Sequence, residues 1–267
     1  METIRLYMRY MKCISKSWFQ YRVDAILRSL AVFLRESAGI IVIYLMLQAF
    51  TDINGWRFYE LLFLFSFLFL TYGIFILFFT GLRDFSGLVH SGGFDRFLLR
   101  PRPLLMQVCA SNADMFAMVG HGGLGFVLFF ICAGQIGVVW TAGTILYYVI
   151  TLISAVIIQA SLFLLMSCSA FWIIKTDELV GMLYYQTRKF AGYPISIYPG
   201  FLQKILMFVV PFAFVNYFPA QFFLHKPDMA GFWEGFIYLT PFVAAALFGI
   251  VFLIWRLSLR RYTSVGN

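Results

Sequence analysis

Apolar positions in this chain fall into six continuous runs, roughly 30–50, 58–80, 112–133, 143–173, 202–224 and 232–255. Each supplies the ~20 helical residues needed to cross a ~30 Å hydrocarbon core. Barrel strands would instead alternate polar and apolar residues over ~10-residue segments. Hydrocarbon also admits only backbone that satisfies its own hydrogen bonds, as a long helix does. The pattern predicts an all-α polytopic membrane protein of six transmembrane helices, in one domain covering 1–267.

Residues 4–19 have a different period. At 100° per residue, Arg5, Arg9, Lys12 and Lys16 share one arc of ~60°, and Ile4, Met8, Met11, Ile14 and Trp18 lie opposite. Such a basic amphipathic helix, within 1–22, is expected to lie in a leaflet interface against membrane lipids. A helix packed on a protein partner is the plainer alternative.

Composition supports this reading. The chain is 62% hydrophobic and 12% charged, whereas soluble domains average 45–50% apolar and ~25% charged. No polar stretch is long enough for a separate aqueous domain. The formal net charge of +8 would suit a polyanion partner, but the basic residues cluster between apolar runs, as the positive-inside rule requires. No nucleic acid is expected. With both termini inside, eighteen of the twenty Lys and Arg residues fall inside or at inner helix ends, and Arg57 and Lys226 fall outside. The expected location is the cytoplasmic (inner) cell membrane, multi-pass, with cytoplasmic ends.

The inner connections are then long and basic. Residues 81–103 carry Arg83, Arg96, Arg100 and Arg102, and the second cytoplasmic segment, 174–201, carries Lys175, Arg188 and Lys189. Outer connections are short, which points to a cytosolic partner.

Catalytic signatures are missing. There is no G-x-x-x-x-G-K-[ST] phosphate loop, no H-E-x-x-H helix or His/Cys cluster for a metal, and no G-x-S-x-G elbow. The expectation is a non-enzyme with no cofactor in this chain. Cys13, Cys109, Cys132 and Cys168 show no C-x-x-C pair and read as small buried hydrophobes.

Ionisable residues in spans are costly and are functional candidates by default. Asp114 and His121, seven residues apart, fall on one face of the third span. They form either a polar, proton-sensitive lining, or an interfacial aspartate and a neutral histidine bonding across helices; the second is the plainer reading. Gln159 and Asn216 could bond across helices or contact cargo. Glu60, beside Trp56, Arg57 and Tyr59, reads as part of an interfacial belt. Gly120, Gly122, Gly123 and Gly125 suggest a close-packing face. Pro211 and Pro219 suggest a bent or gating fifth span.

The run Gly92-Gly93-Phe94-Asp95-Arg96-Phe97-Leu98-Leu99-Arg100-Pro101-Arg102-Pro103 resembles the G-x-x-D-x-x-L-x-R-P signature of an ABC-2-like, bacterial-type family of ABC transporter permease subunits. Gly55-Trp56 with Tyr59-Glu60-Leu61-Leu62, Phe190-Ala191-Gly192-Tyr193-Pro194-Ile195, and Pro211 to Val215 followed by Tyr217 to Ala220 are similar to further motifs of that family. The resemblance runs through nearly the whole chain. It implies an ABC-2 exporter-like fold and a transmembrane subunit, most often an exporter. Such a subunit pairs as a homodimer or with a second permease, and works with two copies of a separate ATPase that binds ATP and Mg. It also implies that 81–103 holds a coupling helix, with Asp95, Arg96, Arg100 and Arg102 as docking or loop-fixing positions, and that 1–22 is an elbow helix. Two rivals lack this support: an ion-coupled secondary transporter, and a membrane-embedded lipid-modifying enzyme using Asp114 and His121.

Overall fold

The computed structural model describes residues 2–20, 22–172, 180–226 and 229–263. Lys175 and the start of the 174–201 segment lie outside the described residues. Helix α1 (Glu2–Gln20) is followed by α2 (Arg22–Ala49) and α3 (Phe58–Arg83). Short helices α4 (Phe85–His90), α5 (Asp95–Leu98) and α6 (Leu104–Cys109) come next. Then α7 (Met115–Met118), a π-helical turn (Val119–Gly123) and α8 (Leu124–Ile136) form one span, and α9 (Ala142–Ser169) forms another. After the π-helical Gly181–Gln186 come α10 (Thr187–Ala191), α11 (Gly200–Lys204), α12 (Tyr217–Leu224) and α13 (Thr240–Leu259). No β-strand occurs among the described residues.

Among the described residues five helical stretches are long and apolar enough to cross a membrane, or six if the bent pair Gly200–Val209 and Phe212–Leu224 counts as one span. Helix α3 is the axis of the bundle, because it packs on α8 and its π turn, on α9, and on α12. Helix α9 in turn packs along α13. The core is aromatic: Phe63, Phe67, Phe129, Tyr148 and Phe223 form one cluster, and Phe75 stacks on Phe163 at 4.4 Å between centroids. Such pairs add ~0.5–1.5 kcal/mol beyond the area they bury. Helix α2, by contrast, presents Leu27, Leu34, Ile41 and Leu45 outward.

Glycine sets how closely the helices approach. A Cβ on Gly73 would lie 2.5 Å from Gly122 Cα, one on Gly125 would lie 2.5 Å from Leu70 N, and one on Gly120 would strike Val32. Gly123 has open space instead, so three of the four third-span glycines form the packing face and the fourth does not.

The two prolines of the fifth span behave differently. Pro211 has no N–H and disfavours helix in the residue before it. Val210 accordingly leaves the helical region, and Gly200–Val209 and Phe212–Leu224 meet at 73°. Pro219 lies in the first turn of α12, where its missing N–H would have no intrahelical partner anyway. The last span begins at Thr240 rather than near 232, because Glu234–Tyr238 is a 3-10 turn and Pro241 suits a helix start.

One end of the bundle gathers both outer helices. Tyr7 of α1 donates its hydroxyl to the carbonyl of Phe78 near the end of α3, and the Tyr262 ring after α13 meets Phe94 at 5.0 Å. Arg5, Arg9, Lys12 and Lys16 are exposed, whereas Met11 is buried and Tyr7 half-buried. Met8 faces outward with the basic residues' side of the helix. Cys109, Cys132 and Cys168 are buried and Cys13 is exposed. Burial pushes the Cys109 thiol up to about 12. At the opposite end, Glu60 accepts from Arg57 N–H at 2.7 Å and pairs with Lys226 at 2.8 Å. It therefore caps α3 and ties two loops together, beyond the interfacial role its neighbours suggest.

Substituting Gly73→Ala or Gly81→Ala, whose Cβ would lie 1.8 Å from Val108 O, is expected to cost about 1–3 kcal/mol by overpacking. Gly123→Ala should be neutral or stabilising. Thermal unfolding of the three purified variants in detergent checks this, and three equal midpoints would refute the close approach.

Candidate functional site

The first candidate is the connection from α3 to α6. Arg83 pairs with Asp84 at 2.8 Å, and Asn112 donates to the same carboxylate at 2.6 Å, closing the base of the loop. Phe85 and Phe94 are fully buried and meet edge to face at 5.2 Å, with Phe171, Trp255 and Tyr262 around them. Gly92 turns the chain at φ +69°, a left-handed conformation that side chains rarely adopt.

Asp95 then accepts a hydrogen bond from Tyr262 Oη at 2.8 Å. Burial, with the neighbouring carboxylate, pushes that phenol up to about 12, so it remains a donor at neutral pH. Gln107 donates its Nε2 to the carbonyls of Phe97 and Arg102, at 3.2 and 3.0 Å, and holds the loop's far side. Between these anchors Arg96, Leu98, Leu99, Arg100 and Arg102 are exposed, Leu99 at 85%. The arrangement is a fixed loop with a basic and apolar tip, so Asp95 positions the loop while the three arginines face outward.

The second candidate is a cavity of about 570 Å³ among α2, α3, the third span and α10. Its lining runs along α3 from Phe65 to Arg83. Glu36 of α2 is its centre. Glu36 Oε1 lies 2.9 Å from Arg35 and 3.2 Å from His121 Nε2, and Oε2 lies 3.9 Å from Arg188. His121 Nδ1 donates to the carbonyl of Ala117 at 3.0 Å. Its Nε2 therefore accepts from Arg35 at 3.1 Å when the ring is neutral, and donates to Glu36 when it is charged. The Arg188 guanidinium sits 4.3 Å from the centre of the Tyr72 ring and 5.8 Å from that of Phe69.

The four intramembrane positions singled out above do not converge. His121 and Asp114 both line the cavity, but Asp114 caps α7 by accepting from Ala117 N–H at 2.9 Å, and His121 pairs with Glu36 instead. Gln159 is fully buried and joins spans: its Nε2 donates to Thr71 Oγ1 at 2.6 Å, and Tyr184 donates to its Oε1. Asn216 Nδ2 donates to the carbonyl of Ala191 at 2.5 Å, fixing the bent fifth span to α10.

Sequence reasoning missed Glu36 and the role of Arg188. The available signal was a carboxylate within an apolar helix, the default functional flag. Adjacent Arg35 makes it look self-neutralised. No group of three or more His, Cys, Asp or Glu residues that could hold a metal occurs among the described residues.

Residues 33–266 match the family model described as ABC-2 family transporter protein. No curated protein matches the chain, and no solved structure does.

Glu36→Gln would leave Arg35 and Arg188 without their carboxylate. Arg35 is 66% exposed, so the loss is that of charged hydrogen bonds at a partly buried site, about 1–3 kcal/mol, rather than that of a fully buried pair. The expected result is a clearly lowered unfolding midpoint in detergent, and a wild-type midpoint would show that Glu36 does not organise the cavity.

Proposed function

Because this chain belongs to the ABC-2 family of transporter proteins, we propose that it is the transmembrane permease subunit of an exporter driven by a separate ATPase. The family assignment makes it a transporter membrane subunit within an ABC system. The observation that carries it is the loop 92–103, anchored by Asp95–Tyr262 and by Gln107, with Arg96, Arg100 and Arg102 exposed on its surface.

In this reading the loop tip docks in a groove of a cytosolic ATPase that binds ATP and Mg, with two copies per complex. Two permease chains, identical or related, complete the assembly. Closure of the ATPase pair pulls the loop, and the pull reaches α3 through Arg83–Asp84 and α13 through Tyr262. Rigid-body rocking of packed helices then alternates access. The basic end, where Tyr7 and Tyr262 pack, faces the cytoplasm of the inner membrane, as the distribution of Lys and Arg supports. Helix α1 lies along the inner leaflet.

A second reading, an ion-coupled transporter, draws on the bent fifth span and the carboxylate deep in α2. Transport by reconstituted protein under a pH gradient without ATP would favour it.

The test is affinity purification from native membranes in mild detergent. An ATP-binding subunit should co-purify, and Arg96→Glu should leave assembly intact while uncoupling ATP hydrolysis from transport. Normal transport by an assembled Arg96→Glu variant would remove Arg96 from docking.

A further inference from the structure

The charged cavity has more cation than its own carboxylates neutralise. Arg35, Arg83, Arg188 and Lys189 line it against Glu36 and Asp114. Arg83 is taken by Asp84 outside the lining, and Asp114 is engaged as a helix cap. Glu36 alone therefore faces Arg35, His121 and Arg188. Arg35, 66% exposed, and Lys189 sit at the open rim, so their charge meets solvent, whereas Arg188 lies deep with Glu36 at 3.9 Å as its counter-charge.

Arg188 has donor capacity that Glu36 does not use. Its side chain is 12% exposed, and Nε and Nη2 are buried without a hydrogen-bond partner among the described residues. Tyr72 covers the guanidinium and leaves edge donors to be satisfied. A planar fork of this kind suits the paired oxygens of a carboxylate or phosphate.

The remaining wall is apolar and aromatic. Phe65, Leu68 and Phe69 continue along α3 on one side of Tyr72, with Ile76 on the other. From Phe65 to Arg83 is eighteen residues, or about 27 Å at helical rise. The cavity, of about 570 Å³, follows this face of α3 as a slot.

We propose that this slot binds an oxyanion-headed amphiphile, with its carboxylate or phosphate on Arg188 and its apolar chain along Phe65, Leu68 and Phe69. The proposal rests on the transporter reading and names the cargo class: an acidic, chain-like lipid or lipid-like molecule. Glu36 sets the selectivity, because it holds Arg188 and Arg35 in place while leaving a net positive site.

The test uses the full chain in nanodiscs of neutral phosphatidylcholine, with a dansyl-labelled undecanoate as the fluorescent probe. Saturable binding is expected, with oleate and lysophosphatidate competing and oleyl alcohol at least tenfold weaker. Arg188→Gln should weaken probe binding at least tenfold and Arg188→Lys less; partition into the lipid is common to all three proteins. Equal competition by oleyl alcohol, or unchanged binding by folded Arg188→Gln, would overturn the proposal. Inorganic phosphate competing as well as oleate would also overturn it, since the site would then be one for a small anion. Should Arg188→Gln not fold, the preference of the wild type for oleate over oleyl alcohol decides alone. Binding is read without any ATPase, so lost binding with the ATPase still co-purifying removes the cargo assignment only. Binding retained without a co-purifying ATPase supports the slot and removes only the coupling.

Discussion

Hydrocarbon offers a peptide group nothing to hydrogen-bond, and this constraint orders the rest of the molecule. It explains why the long elements are helices and why irregular backbone is confined to protected places. The π turn at Val119–Gly123 buries Gly120, His121 and Gly122, with Gly120 against Val32 and Gly122 against Gly73. The break at Pro211 is enclosed as well: Phe212, Ala213 and Phe214 are almost completely buried. Polar side chains follow the same logic, with Gln159 and Asn216 each spending their donors on a neighbouring element.

Against that background the Glu36 cluster stands apart. Gln159, Asn216 and Ser167 are neutral and join pairs of elements, and buried Ser66, Thr80 and Ser161 bond their own helices, whereas Glu36 collects basic groups from three separate parts of the chain. The 92–103 loop is a different construction, an aromatic plug of Phe85 and Phe94 that fixes the backbone and leaves the cations at the surface. One set of arginines is thus held deep and the other displayed, and the two meet different partners in the proposed function.

Much of the architecture was legible because apolar runs report directly on burial in lipid. The first helix and the second to fourth spans follow from period and composition, whereas the loop residues of 92–103 were marked by the family resemblance. What was not legible depends on packing between distant segments. Pro211 and Pro219 look alike in sequence, yet only Pro211 breaks a helix, because Pro219 falls within a first turn. Asp114 and His121 share a face by spacing, but capping takes the aspartate and Glu36 takes the histidine. Glu36 and Arg188 lie far apart along the chain, so no local pattern announces their pairing. Similarly, Gly123 cannot be told from Gly122 or Gly125 until the neighbouring helix is in place.

The hydrogen bond from Tyr262 to Asp95 also bears on how the protein is handled. It ties the segment after the last span to the flank of the basic loop, so anything fused beyond that tyrosine starts life beside the loop's exposed arginines. A bulky carboxy-terminal tag would crowd that surface, whereas a small environment-sensitive dye attached there would report on its occupancy.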